Sequence, residues 1–198
     1  MRRACIDIGS NTTRLLVADR AAAHLQEVHQ DRAFTRIGRG MASDGTIEEA
    51  KIAEVVGVVT AQLARARSLG ASEVHGVATA AIRRAANGSE LVSAIETACG
   101  LRVQILSGEE EARLAFVGAA GTLDHRPAGA LGVVDVGGGS SEIVVGTVPH
   151  KIEWWCSIAL GSGDLADHCL RSDPPRAAEF AAARARVAAA LDGVEAPP

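Results

Sequence analysis

Apolar residues recur along the chain in short runs, and the period of each run predicts its element. Near the N-terminus "RRACIDI" and "TTRLLVA" are separated by only "GSN", which reads as strand, tight turn and strand, and a third strand follows before "RIGRG" (36–40). From Thr46 the period becomes helical. Ile52, Val56, Val59 and Leu63 form one stripe, Thr46 and Glu49 stand at capping-box spacing, and Gly70 closes the segment. "EVHGVAT" (73–79) predicts a short buried strand, "SELVSAIETACG" (89–100) a helix, "RVQILS" (102–107) a strand, and "SGEEEARLAFVGAAGTL" a further helix from Ser107. "VVDVGGGSSEIVVG" (133–146) predicts two strands about a glycine turn. A third strand carries Trp154 and Trp155, one expected in the core and one at a contact surface, and the Ala-rich stretch 174–193 reads as a helix. Alternating helices and strands predict an α/β fold with mixed, mostly parallel sheets and helices on both faces.

The same pattern occurs twice. "IDIGSNTTRLLVA" (6–18) aligns without a gap on "VDVGGGSSEIVVG" (134–146): Asp7 falls on Asp135, Gly9 on Gly137, and Thr12 and Thr13 on Ser140 and Ser141. Further on, Gly38 and Gly40 of "RIGRG" fall on Gly161 and Gly163 of "ALGSG". Two half-molecules of similar topology are expected, one over residues 1–127 and one over 128–198. By the logic of the repeat the second lacks its last strand–helix pairs and exposes an open sheet edge, so a homodimer is an expected partner state.

Composition narrows the class. The chain has 198 residues, 47% hydrophobic and only 3% aromatic, so the core must be built from Val, Ile, Leu and Ala. A net charge of −4 gives no basic field for nucleic acid. Neither a signal peptide nor an apolar run of membrane-spanning length is present. Cys5, Cys99, Cys156 and Cys169 are scattered and read as reduced thiols, which together predicts a cytoplasmic protein without a membrane partner. His24, His29, His75, His125, His150 and His168 show no metal-ligand spacing and are given no role.

The chemistry is expected at the two turns. Glycine–serine turns let successive backbone N–H groups converge on an anion, and hydroxyls add donors. Gly9, Ser10, Asn11 and Thr12 from one unit, with Gly137, Gly138, Gly139, Ser140 and Ser141 from the other, are therefore candidate phosphate binders. An isolated turn of this kind would read as a plain hairpin; its duplication beside an acid favours the ligand reading. Asp7, Asp135 and Glu142 would repel phosphate unless a hard cation lay between, which suits Mg²⁺. "SGEEEARL" puts Glu109, Glu110 and Glu111 in a first helical turn, where acids also serve the helix dipole. A cap at Ser107 uses Glu110 and leaves Glu111 able to deprotonate a water. Arg14, Arg36, Arg39, Arg83 and Arg84 are candidate counter-charges, or else solvated surface groups.

"IDIGSNTTRLLVAD", "ATAAIRRAANG", "SGEEEARLAFVG" and "VVDVGGGSSEIVVG", in this order and spacing, resemble the exopolyphosphatase / guanosine pentaphosphate phosphohydrolase family, over essentially the whole chain. The resemblance implies an actin-like ATPase (ribonuclease H-like) duplicated fold, whose second domain is incomplete here. It also implies release of terminal orthophosphate from inorganic polyphosphate, or of the 5′ γ-phosphate from guanosine pentaphosphate, with Mg²⁺ or another divalent ion such as Mn²⁺. The family's E-E-A-R motif makes Glu111 the base, with Glu110 the nearest rival. Its acid before G-G-G-S falls on Asp135, with a metal and catalytic role, and its arginine on Arg83 or Arg84. A hydrolase, a polyphosphate- or (p)ppGpp-binding module and an ATP-dependent enzyme all remain open at this point.

Overall fold

The computed structural model describes residues 1–21, 24–125, 127–149 and 151–195. His150 lies outside them, as does the His24 side chain. The chain divides into two compact units, Met1–Ser107 and Gly108–Pro198.

The first unit holds β1 (Arg2–Ile8), β2 (Thr13–Ala21), β3 (His24–Ala33), α1 (Glu49–Ser68), β4 (Glu73–Ala78), α2 (Ala80–Arg84), α3 (Gly88–Cys99) and β5 (Val103–Ile105). Its sheet runs β3-β2-β1-β4-β5. β1, β2 and β3 are antiparallel because their links are too short for a crossover, whereas β4 and β5 return through helices and pair in parallel. Parallel pairing is thus confined to the β1–β4–β5 half. Strand parity sorts the residues: Ala4, Ile6, Ile8, Leu15 and Val17 are buried against Val55, Val59 and Leu63 of α1 and Leu91 and Ile95 of α3. Residues of the opposite parity, including Cys5 and Leu16, line a hollow with Leu25 and His75.

α1 ends as its sequence indicates, with Gly70 left-handed at φ 83° and its N–H donating to the Arg67 carbonyl. Its start departs from expectation. The Thr46 hydroxyl donates to Asp44 at 2.7 Å and caps nothing, while the Ile47 N–H donates to the Asn87 side chain at 2.8 Å. A local Asx-type turn outcompetes the capping box, and the helix begins two residues late, at Glu49.

The second unit holds α4 (Gly108–Gly121), β6 (Ala130–Val136), β7 (Ser141–Thr147), β8 (Lys151–Ile158), α5 (Ser162–Cys169) and α6 (Ala177–Leu191). Its sheet, β6-β7-β8, is antiparallel throughout. α4 packs here, burying Ala112, Phe116 and Ala120 with Val144, so the division falls at Ser107 and not at residue 127. α4 lies on the Glu142–Val144 face of this sheet. Leu165 of α5 and Val187 and Leu191 of α6 line an apolar hollow with Val134, Val136 and Ile143 on the other face. Helices therefore cover both faces of the second sheet, whereas α1 and α3 share one face of the first. β6 is an edge strand, with Val134 and Val136 exposed. Trp154 is half-buried and Trp155 is 37% exposed, so neither tryptophan anchors the core. The four cysteines are free. Among the described residues no helix is long and apolar enough to cross a membrane.

Candidate functional site

The two turns are built alike. In the first, the Gly9 N–H donates to the Thr12 carbonyl at 2.9 Å; in the second, the Gly137 N–H donates to the Ser140 carbonyl at the same 2.9 Å. A Cβ at either glycine would stand 3.1 Å from that carbonyl oxygen, which explains why the first turn residue is glycine in each copy. Neither glycine has positive φ, so the requirement is room and not backbone freedom. Among the described residues the N–H groups of Ser10, Asn11, Gly138 and Gly139 meet no backbone carbonyl; Ser10 and Gly139 are buried, and Asn11 and Gly138 are half-buried.

Each turn rests on the G-x-G segment of its own unit. Gly38 donates to the Ser10 carbonyl at 2.9 Å, and Gly163 to the Gly138 carbonyl at 3.0 Å. The first contact comes through a 3-10 turn, Ile37–Gly40, entered by Arg36 in left-handed conformation. The second comes through the start of α5. Below the first turn, Thr13 is fixed from two sides: its Oγ1 lies 3.0 Å from the Thr35 Oγ1, and Gln62 of α1 donates to its carbonyl at 3.2 Å. Thr35 and Gln62 belong to no motif; only their burial as polar groups marks them.

In the second unit the carboxylates gather. Asp135 and Glu142 face each other across the β6–β7 ladder, and Ser157 faces Glu142 across β7–β8. Glu142 is 1% exposed. Burial pushes its carboxyl above the usual range; hydroxyls of Ser157 and Ser140 oppose this, while the charges of Glu111 and Asp135 add to it. Glu111 and Glu110 lie in the first turn of α4, and the first residue of that helix abuts β8: a Cβ at Gly108 would stand 3.2 Å from the Ser157 Cβ. Glu111, Asp135, Glu142 and the Gly137–Ser140 turn are thus one neighbourhood. Ser141, expected to join its neighbour, instead donates to the Leu160 carbonyl at 2.7 Å and serves the scaffold.

In the first unit Asp7 stands beside Gly9 at the end of β1, with Arg14 opposite it on β2. Arg83 and Arg84 close α2, a five-residue helix at the C-terminal end of β4. Arg83 is half-buried and donates to the Leu106 carbonyl at 2.8 Å, while Arg84 is exposed.

The donor set in the second unit is oxygen only, carboxylates with hydroxyls, which fits a hard cation such as Mg²⁺. Among the described residues no three acidic, histidine or cysteine side chains group closely enough to hold a metal by themselves. Mg²⁺ commonly takes one or two carboxylates and completes its shell with water and phosphate, and Asp135 and Glu142 are the pair that could supply them here.

Comparison with known proteins agrees with this architecture. The model of the Ppx/GppA phosphatase family matches residues 16–197. Exopolyphosphatase 2 of Mycobacterium tuberculosis is 34% identical over 96% of this chain and 62% of its own length. Exopolyphosphatase 1 of Mycobacterium bovis is 33% identical over 88% of this chain and 51% of its own length. The crystal structure of the Aquifex aeolicus family member superposes with a TM-score of 0.80 at 31% identity, covering 100% of this chain and 63% of that one. The chain thus spans about half to two thirds of the length of the relatives it matches. Its fold is theirs, the actin-like α/β fold, and the chain belongs to the Ppx/GppA phosphatase family.

Proposed function

We propose that the protein is an exopolyphosphatase-type phosphohydrolase that releases terminal orthophosphate from inorganic polyphosphate. The observation that carries this reading is the register that sets Asp135 opposite a buried Glu142 beside the Gly137–Ser140 turn, with Glu111 near enough for its charge to act on Glu142. The exopolyphosphatase relatives support the substrate class.

In this reading the N–H groups of Ser10 and Asn11, with Thr12, and those of Gly138 and Gly139, with Ser140, bind phosphate oxygens. Arg14, Arg36 and Arg84 supply counter-charge. Glu111 takes the proton of the attacking water as its oxygen bonds to the terminal phosphorus, and the anhydride P–O bond breaks with its electron pair leaving on the shortened chain. Glu110 is the rival base. Asp135 and Glu142 would hold Mg²⁺ or Mn²⁺ in the second unit, and Asp7 is the matching acid of the first; the ion when bound neutralises phosphate charge and lowers the repulsion between substrate and carboxylates. Guanosine pentaphosphate is the alternative substrate, since nothing in the turns distinguishes a phosphate chain from a nucleotide's phosphates. A module that holds polyphosphate or (p)ppGpp without turning it over is the other alternative, and binding without phosphate release under any divalent ion would favour it; a cytoplasmic setting is also part of the proposal.

Phosphate release from long-chain polyphosphate, assayed with Mg²⁺ or Mn²⁺, tests it. Glu111→Gln should abolish release and leave binding within about twofold, and Glu110→Gln should keep measurable turnover. A chain that neither cleaves nor binds polyphosphate or guanosine pentaphosphate with any divalent ion ends the proposal.

A further inference from the structure

We infer that Arg32 and Phe34, working with Arg36, form a second anion subsite that takes the phosphates of a linear polyphosphate chain beyond those held at the first turn. The inference deepens the proposed function and rests on it.

Arg32 lies directly opposite Arg14 in the β2–β3 ladder, so the two guanidiniums share one face of the sheet. They line a hollow of about 320 Å³ with Gln30 and Asp31. Beyond the end of β3, Phe34 is 57% exposed. The guanidinium carbon of Arg32 lies 5.3 Å from its ring centroid and that of Arg36 lies 6.0 Å away. Arginines stacked on an aromatic ring are held in orientation while their N–H edges stay free, which suits bidentate contact with phosphate. Among the described residues no carboxylate forms an ion pair with Arg14, Arg32 or Arg36, unlike Arg2 and Arg3, which pair with Asp19 and Glu73.

The backbone ties this cluster to the first turn. Arg36 is the one non-glycine residue of positive φ among those described, at φ 47°. Its N–H donates to the Asn11 carbonyl at 2.9 Å, inside the turn. A left-handed arginine is costly, and such outliers persist where the surroundings fix them. Asp31 is the only acid of the hollow, and its Oδ1 accepts the backbone N–H of Arg32 at 2.8 Å. Asp7 lies opposite Arg14 on β1, so three guanidiniums stand against two carboxylates, and the excess of positive charge favours an anion. A stacked nucleobase fits less well, because the guanidiniums already lie over the Phe34 ring.

Calorimetric binding of tripolyphosphate and of long-chain polyphosphate to this chain, at several salt concentrations, tests the inference. Arg32→Ala should weaken long-chain binding at least about fivefold, change tripolyphosphate binding less than about twofold, and flatten the slope of log affinity against log salt by about 0.7, as for one lost phosphate contact. Phe34→Leu should act in the same direction. Asp31→Asn should tighten long-chain binding, a gain that misfolding cannot imitate. Unchanged long-chain affinity and slope in Arg32→Ala, or equal loss for both anions, overturns the subsite and leaves the proposed function standing. Loss of guanosine tetraphosphate binding alone in Phe34→Leu overturns it in favour of base stacking. A wild-type chain that binds neither polyphosphate overturns both.

Discussion

Ser157 donates its hydroxyl to Oε1 of Glu142 at 2.8 Å, from the position directly opposite in the β7–β8 ladder. The acceptor is almost wholly buried, so this hydroxyl replaces part of the water that the carboxylate gave up on folding. Removing it in Ser157→Ala leaves that carboxylate short of a donor and should cost about 1–3 kcal/mol. Denaturant unfolding measures the loss, and Ser157→Thr, which retains the hydroxyl, should recover most of it. Equal stability of the alanine variant and wild type would mean that Glu142 is solvated or protonated in solution.

The raised carboxyl of Glu142 sets a pH dependence. Its folded pKa lies above the ordinary carboxylate value because burial disfavours the charge. The folded state then holds a proton that the unfolded chain has already lost, so the contribution of this group is fully present below the unfolded pKa. It falls away as pH rises through the folded value. Without divalent ions, wild type should lose stability across that window relative to Glu142→Gln, whose profile should be flatter. Melting curves at stepped pH measure the difference.

Divalent ions should reverse that loss. A cation held at Asp135 and Glu142 binds the folded state alone, and a hundredfold excess over its Kd adds about 2.7 kcal/mol. Mg²⁺ or Mn²⁺ at neutral pH should therefore raise the Tm of wild type by several degrees and that of Glu142→Gln by much less. Equal shifts in both would place the ion elsewhere.

Cys5 should be inert. Burial, with the nearby charge of Asp7, pushes its thiol up to about 11 from an ordinary 9.0. Its thiolate fraction near neutral pH is then lower than in the unfolded chain by about a hundredfold, and native-state alkylation should slow in proportion. Mass spectrometry of chain treated with iodoacetamide, folded and in denaturant, checks this.

Much of the site could be read from the repeat. The alignment of Asp7 on Asp135 and of Gly9 on Gly137 reappears as two turns closed by the same 2.9 Å bond. Element types followed from apolar period, as in α3, which ends at a left-handed Gly100. What stayed hidden depended on contacts between distant segments. Asn87 takes the Ile47 amide across 40 residues and displaces the expected cap. α4 belongs with the second sheet because Phe116 finds Val144, not because of its place in the chain. α2 is too short to show a period. Ser157 is an unremarkable strand serine until the register sets it opposite Glu142.

The second turn also depends on a glycine well outside it. An added Cβ at Gly161 would lie 2.4 Å from the Gly138 carbonyl carbon and 2.5 Å from the Gly139 nitrogen. Both are backbone atoms, so no side chain can swing aside, and the turn itself must shift. The φ of Gly161 is −127°, an ordinary extended value, which leaves contact as the whole effect. Gly161→Ala should thus destabilise the second unit by about 1–3 kcal/mol and displace the Gly138 and Gly139 amides. Because those amides are proposed to hold phosphate, anion affinity should fall further than stability does. Gly132→Ala is the control: it lies on β6 with nothing within 4 Å of the added Cβ, and should be tolerated. Thermal melts with and without tripolyphosphate separate the two effects. A Gly161→Ala protein that keeps the ligand-induced shift of wild type would show that the second turn is not where the anion binds.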